Sequence, residues 1–354
     1  MRITSFLFRR LLTGVFTLCA LLALTFVVYW ALPSQPARFV YPYAQSLSNY
    51  QTAHGNHLLG LDKSKPEQYV DYLWQLLHGD VGRFWTGAQL VENRKLEQTP
   101  IGPTVFPALR ITLSIIFGGA VLVLLLAMPL GTLAGRRVGS AEDRAISGFT
   151  LVGICTHPMV LGLILASTFG TVGLGWLPAE GYCPIRRGHA DTCGGLGQWS
   201  LHLILPWLTF ALLFLALYTR MVRISVAETL HEDYVRTARA KGLSERRVLR
   251  NHVLPSASLR VLTMVGMEIG TAIGVCIYVE AAFRLNGLGR QAVIAMGGAS
   301  LGIDLPFTLA IVFLISVIVI VGNLGVDLLY AVLDPRAGRE TARGREKPLV
   351  GGVF

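Results

Sequence analysis

The chain has 354 residues, 53% of them hydrophobic and only 15% charged, with a formal net charge of +10 and a mean hydropathy of +0.54. A soluble domain spreads its apolar residues at helical or strand period, whereas these gather into uncharged runs of bilayer-spanning length, which excludes an ordinary water-soluble globule. The basic excess has no aromatic-interleaved patch, so it reads as membrane topology and not as nucleic-acid binding.

A helix needs roughly 20 apolar residues to cross about 30 Å of hydrocarbon. The first run, Leu11 to Leu32, exceeds the roughly 7 to 15 residues of a signal-peptide core and is followed by no small-x-small site, so it is expected to remain as the first span. Residues 33–107 then form a long extramembrane segment. Within it, PEQYVDYLWQLL places Tyr69, Tyr72, Leu73, Leu76 and Leu77 at the i, i+3, i+4, i+7, i+8 positions of an amphipathic helix, expected to cap the membrane domain from outside. The second span, Ile111 to Gly135, carries Pro129 beside Gly131 and Gly135. The third, Ala145 to Ala179, contains His157-Pro158, read as a bend.

Between the third and fourth spans, Cys183 and Cys193 bracket the polar insert PIRRGHADT. That side of the membrane permits oxidation, so a disulfide is expected, with two free thiols as the alternative. A metal site through Cys183, His189 and Cys193 would have three ligands at unconvincing spacing. Cys19, Cys155 and Cys276 fall within spans and read as small hydrophobes. The fourth span is Ser200 to Thr219 and the sixth Leu305 to Val326.

The fifth, Val261 to Ala282, contains Glu268. Its Leu, Ile and Val residues contribute about −2.4 to −4.8 kcal/mol on the insertion scale, against roughly +3 for a central carboxylate. Glu268 must therefore face protein or a water-filled path and not lipid. Gly266, Gly270 and Gly274, four apart, form a ribbon on which another helix can approach closely. Glu268 projects from a different face, either lining a pathway or making a structural hydrogen bond.

The stretch between spans four and five, EDYVRTARAKGLSERRVLRNHVLP (232–255), holds six cationic and three acidic side chains. Residues 225–241 read as helix with Val226, Leu230, Tyr234 and Ala238 on one stripe. Gly242 ends it in left-handed geometry, Ser244 caps a second helix with Glu245 at its positive end, and that helix runs to about His252 before Pro255. A solvated loop obeying the positive-inside rule, or one touching anionic lipid, is the bland alternative. With the N-terminus inside, 20 of the 31 basic residues fall in four cytoplasmic segments, in keeping with that rule. The tail TARGREKPLVGGVF reads as disordered.

Self-powered alternatives fare poorly. None of the five lysines sits in G-x-x-x-x-G-K-[ST], and H-E-x-x-H and G-x-S-x-G are absent, so the chain has no phosphate-cradling loop or hydrolytic motif and is expected not to be an enzyme. An ion-coupled transporter through Glu268 would call for a broken-helix inverted repeat that the sequence does not show.

DYVRTARAKG followed by Leu254-Pro255 resembles the cytoplasmic loop of ABC-transporter permeases, with Ala238 and Gly242 matching its Ala and Gly. FRRLL, QYVDYLWQLLHGDVG, LGWLPAEGY, HLILPWLT, the pair Arg220 and Arg223, NGLGR (286–290) and NLGVDLLYAVLDPR extend the resemblance, in order and over nearly the whole chain, to the dipeptide, oligopeptide and nickel importer permeases. Three outer stretches depart from the usual pattern: Pro33-Ser34-Gln35-Pro36, Asn286-Gly287-Leu288-Gly289, and the cysteine-bracketed insert.

The resemblance implies an all-α membrane protein with six transmembrane helices, both termini cytoplasmic, and cytoplasmic coupling helices between helices 4 and 5. Its expected parts are a first helix (1–32), an extracytoplasmic segment (33–107), an importer-type transmembrane domain (108–333, coupling loop about 225–255) and a cytoplasmic tail (334–354). ATPase coupling is expected from Asp233, Tyr234, Arg236, Ala238, Arg239, Lys241, Gly242, Leu254 and Pro255. The implied partners are a second, related permease chain, two ATPase subunits that use ATP and Mg, an extracytoplasmic substrate-binding protein and membrane lipid; no cofactor or metal is held by this chain. Peptides are the expected cargo, with nickel the alternative.

Overall fold

The computed structural model describes residues 2–31, 35–41, 44, 46–85, 89–91, 95–170, 173–185, 193–298 and 303–333; the tail 334–354 lies outside them. In chain order the helices are α1 (Arg2–Ala31), a 3-10 turn (Pro36–Phe39), α2 (Asn49–Leu58), α3 (Lys65–Leu77), α4 (Gly102–Arg136), α5 (Ala141–Cys155), α6 (Pro158–Phe169), α7 (Leu196–Thr229), α8 (Asp233–Ala240), α9 (Glu245–Val248), α10 (Leu254–Ala282), α11 (Leu288–Val293) and α12 (Leu305–Leu333). Among the described residues the departure from an all-helical chain is one hairpin, β1 (Gln89–Val91) and β2 (Lys95–Glu97), paired antiparallel with Leu90 opposite Leu96.

Local chemistry explains several starts. Ser48 accepts from the Gln51 amide and Gln51 returns a bond to the Ser48 amide, a capping box that opens α2. Glu67 accepts from the Ser64 amide ahead of α3, and Ser140 accepts from the Asp143 amide ahead of α5.

Among the described residues, five helices are long and apolar enough to cross a membrane: Phe8–Ala31, Gly102–Arg136, Leu196–Thr229, Glu245–Ala282 and Leu305–Leu329. The third expected span, 145–179, is not one helix. α5 stops at Cys155, Thr156 turns extended at ψ 133°, and α6 starts at Pro158 and has only 12 residues. Proline lacks the amide that would continue the ladder, and it pushes the residue before it out of helical geometry.

The chain forms two compact units, one of residues 1–119, 158–210 and 272–320, the other of 120–157, 211–271 and 321–354. The first holds a core of Val81, Ile101, Val105, Leu288, Phe307 and Ile311. A second cluster there joins α1 to the segment after it through Leu22, Phe26, Tyr29, Tyr72, Trp85, Leu305 and Leu309. At Gly118 the indole of Trp207 comes so near that an added Cβ would sit 2.1 Å from Cε2, and Trp207 Nε1 donates to the Ser114 carbonyl at 2.9 Å. In the second unit the Gly131 and Gly135 pair lets α4 lie on α7: added Cβ atoms would meet Val222 at 2.5 Å and the Arg223 carbonyl at 2.7 Å. Both contacts are helix-on-helix approaches that only a missing side chain allows.

The same substitution should therefore have opposite signs at two glycines. Gly118→Ala overpacks against Trp207 and should lower thermal stability in detergent by about 1–3 kcal/mol. Gly148→Ala, at an exposed helical site with nothing within 4 Å, should raise it by up to about 1 kcal/mol. Melting curves of both variants check the pair.

Candidate functional site

The charged stretch between α7 and α10 folds as two short helices joined by a left-handed turn. α8 ends on Lys241; Gly242 has φ +79°, its amide donates to Arg239 O at 2.9 Å, and the Leu243 amide reaches Ala238 O at 3.3 Å. Those paired bonds satisfy the last carbonyls of α8 and reverse the chain at glycine. Ser244 sits at the N-cap of α9 with extended backbone, though its hydroxyl makes no capping bond.

Cross-braces fix the two helices. Arg239 donates through Nε and Nη2 to both oxygens of Glu245, at 2.8 and 3.3 Å, and through Nη1 to Leu230 O at 3.4 Å. The Tyr234 hydroxyl donates to His252 O at 3.4 Å. At the base, Arg260 of α10 pairs with Glu228 of α7. Val235, Val248 and Val253 are fully buried beneath this framework, with Ala238 nearly so. Asp233, Arg236, Lys241, Arg246, Arg247 and Arg250 are exposed. Arg239 is thus a strut that ties α8 to α9 at the exposed surface of the loop.

Two expectations about this loop change. Residues 225–241 are not one helix: turns at 230–232 separate α7 from α8, so the buried pair of α8 is Val235 and Ala238, and Tyr234 is 45% exposed. The second short helix also does not stop before Pro255. It passes through a π turn at Leu249–Val253, in which the Leu254 amide bonds to Leu249 O five residues back, and continues into α10. The ladder is thus widened just ahead of Pro255, which has no amide to donate to it.

Along α10 the glycine ribbon is divided. A Cβ on Gly266 would meet Val326 at 3.1 Å, whereas Gly270 and Gly274 face open space in this chain. Glu268 is half-buried. Cys183 and Cys193 are bonded, with Cα atoms 5.6 Å apart, and Cys183 Sγ lies 3.6 Å from His202 Nε2. His189 lies outside the described residues.

Sequence reasoning passed over three buried acids, Asp143, Glu280 and Asp304. Asp143 is held by a bidentate pair from Arg223, Nε to Oδ1 at 2.5 Å and Nη2 to Oδ2 at 2.7 Å, and accepts the Gly139 amide at 2.8 Å. Only 4% of its side chain is exposed. The Arg223 bonds, then the Gly139 amide, hold its carboxyl down to about 2. Glu280 is fully buried. One oxygen accepts from the Thr112 hydroxyl at 2.6 Å and the other from the Arg290 amide at 2.9 Å; Thr112 Oγ1 in turn accepts the Leu288 amide at 2.9 Å. The first amides of α11 therefore end on Glu280 and Thr112. Gly287 and Gly289 permit it, since Cβ atoms there would fall 2.2 Å from Glu280 Cδ and 2.7 Å from Ile277 Cα. The signal for Glu280 was an acid inside the apolar string IYVEAAF; its partner lies 168 positions away.

Comparison with known proteins places this geometry. Residues 127–339 match the model of the family described as binding-protein-dependent transport system inner membrane component, and residues 3–88 match its N-terminal part. The chain is 31% identical over 334 residues to a probable peptide ABC transporter permease of Sinorhizobium fredii, covering 94% of this chain and 98% of the relative. It is 31% identical over 332 residues to an oligopeptide transport system permease of Bacillus subtilis, with the same coverage. To a dipeptide transport system permease of Escherichia coli it is 30% identical over 350 residues, again covering 94% and 98%.

A carboxyl whose pKa is depressed on folding stabilises the fold above its unfolded value near 3.8, and that contribution is lost as pH falls toward 2. Asp143→Asn should cost on the order of 1–2 kcal/mol at neutral pH, and the gap between variant and parent should close between about pH 4 and pH 2; unfolding across that range measures it. Thr112→Val keeps the shape but strips Glu280 and the Leu288 amide of a partner, at about 1–3 kcal/mol for each group left unpaired, measurable as a lower melting temperature.

Proposed function

Because this chain belongs to the family of inner-membrane components of binding-protein-dependent transport systems, we propose that its loop 230–255 is the contact through which a separate ATPase subunit drives it. The chain is a multi-pass permease subunit of an ABC importer in the bacterial inner membrane, and such a subunit works with an ATPase and a substrate-binding protein. The cargo we assign is peptides, because the relatives aligned over nearly their whole length are named for peptide, oligopeptide and dipeptide transport.

The finer reading is a translocation pathway made with a second, related permease chain, six crossings with both termini cytoplasmic, and two ATPases beneath. The distribution of basic residues supports that orientation, with 20 of 31 in the segments assigned to the cytoplasm. The observation that carries the coupling role is the build of the loop: Gly242 reverses the chain, Arg239 ties α8 to α9, and Glu228 with Arg260 closes the base. A push on its exposed side reaches α7 and α10 with little taken up inside the loop. ATP-driven closure of the ATPases would then bias the helices between two packed states. Asp233, Tyr234, Arg236 and Lys241 are the residues offered to the partner; Ala238, Gly242, Leu254 and Pro255 shape the element that offers them.

Gly242→Val forces a β-branched side chain into left-handed backbone, at a cost of roughly 1–2 kcal/mol, and should cut ATPase retention on co-purification, and peptide-stimulated ATP hydrolysis, by about tenfold. Gly242→Asn, which tolerates that backbone, should stay close to the parent. ATPase retention undiminished in Gly242→Val and in a deletion of residues 236–241 would overturn the coupling assignment.

A further inference from the structure

α3 has three chemically distinct sides. At 100° per residue, Tyr69, Tyr72, Leu73 and Leu76 share one side and pack into the cluster formed with α1 and the start of α12. Gln68, Asp71 and Gln75 share a second, polar side; all three, with Lys63, line a recess of about 380 Å³, across which Lys63 pairs with Asp71. The third side is Val70, Trp74 and Leu77, at i, i+4 and i+7, exposed by 61, 64 and 80%. Leu77 was expected among the buried residues, and the structure turns it outward.

Where α3 lies explains what faces this third side. Tyr69 donates its hydroxyl to the carbonyl of Cys19 at 2.7 Å, and its ring stands 5.7 Å from Phe26. Cys19 lies inside the apolar run Phe8–Ala31, about 18 Å along the helix from Ala31 at 1.5 Å per residue. Near that end of α1, Lys65 Nζ stands 4.9 Å over the ring of Trp30. α1 itself exposes Leu21, Leu24, Val27 and Val28, an apolar surface of the same kind. The Trp74 ring is steadied by His78, whose ring lies 4.7 Å away and whose Nδ1 meets the Trp74 carbonyl at 2.8 Å. A helix with one side on protein, one toward water and one apolar, beside a membrane span and carrying an exposed tryptophan, has the make-up of an element seated in the bilayer boundary.

We propose that α3 is a membrane-interface helix, with Val70, Trp74 and Leu77 among the acyl chains of the leaflet that surrounds the C-terminal half of α1. That this is the outer leaflet rests on the orientation proposed above; the lipid contact does not. The surface continues the lipid-facing one of α1, and water remains on the recess side.

The test uses the assembled transporter in lipid nanodiscs, with Cys19, Cys155 and Cys276 replaced, the Cys183–Cys193 bond retained, and a nitroxide on single cysteines at 70, 74 and 77 or, on the polar side, at 71 and 75. Collisions with oxygen should exceed those with a water-soluble nickel chelate at 70, 74 and 77, and the order should reverse at 71 and 75. Nickel access at 74 and 77 equal to that at 75 would mean water on this side and overturn the proposal. Immobile labels reached by neither probe would mean a second permease chain or the binding protein covers it, and would overturn it equally. Leu77→Cys, at the most exposed of the three, gives the same reading should Trp74→Cys fail to assemble. A membrane-impermeant maleimide applied to intact cells should label Gln75→Cys from outside; protection there, with the collision pattern intact, would overturn the orientation and its leaflet while leaving the lipid contact standing.

Discussion

Hydrocarbon offers a peptide group nothing to bond to, so wherever the chain stops being helix near the membrane its freed amides must find partners in the protein. Buried carboxylates supply them here. After α10 ends at Ala282 the backbone turns through Arg284 at φ 51° and restarts at Leu288, and the amides of that restart end on Glu280 and on Thr112. Asp304 does the same before α12, accepting the Phe307 amide and, from far along the chain, that of Trp85. Asp143, in the first turn of α5, accepts the Gly139 amide while Arg223 balances its charge. Asp143 and Asp304 sit where a helix begins, and Glu280, in the last turn of α10, turns its carboxylate onto the first amides of α11; each carboxylate thus meets the positive end of a backbone dipole and fixes the entry of a helix. Glycine completes the device at 287 and 289, because a side chain there would occupy the place of the Glu280 carboxyl or of the α10 backbone.

The loop beneath α7 and α10 is built differently, since water can satisfy it. Its ion pairs are exposed, and pairs of that kind contribute about 0–1 kcal/mol apiece. Their arrangement matters more than their sum. Arg239 with Glu245 spans the glycine turn, Tyr234 reaches the π turn, and Glu228 with Arg260 ties the two long helices where they enter the loop. Each bond crosses a different point at which the segment could flex. Four buried aliphatic residues, Val235, Val248, Leu249 and Val253, hold the base in place.

The long spans and the loop could be read from the sequence because their signals are local. A run of some twenty apolar residues reports itself, and so does a glycine between two charged helical stretches. What escaped was phase and distance. Val226, Leu230, Tyr234 and Ala238 form a clean stripe only if the helix is continuous; the turns at 230–232 reset the phase and bring Val235 inward instead. Three glycines four apart look alike in sequence, yet only the one opposite Val326 makes a close approach in this chain. The strands of the hairpin, three residues each, are too short for a period of two to stand out. Glu280 was visible as an acid in an apolar string, but its role depends on Thr112, and no single sequence announces that pair.

How enclosed each span is bears on where a stroke at the loop would go. In α1 only 11% of the most apolar window is buried within the chain, against 50% in α7 and 28% in the helix that runs into α10. The loop is attached directly to α7 and α10 and not to α1. A displacement at α8 therefore enters the most enclosed of the five long helices, where glycine contacts at 131, 135 and 153 leave no room for small sliding adjustments. Tight packing of that kind has discrete arrangements and not a continuum, so a stroke delivered there, as proposed, would either be resisted or carry α7 to another seat. α1 is held differently: its close glycine approach is at Gly14, where an added Cβ would meet Ile320 at 2.8 Å, and Tyr69 ties α3 to it through the Cys19 carbonyl and the Phe26 ring.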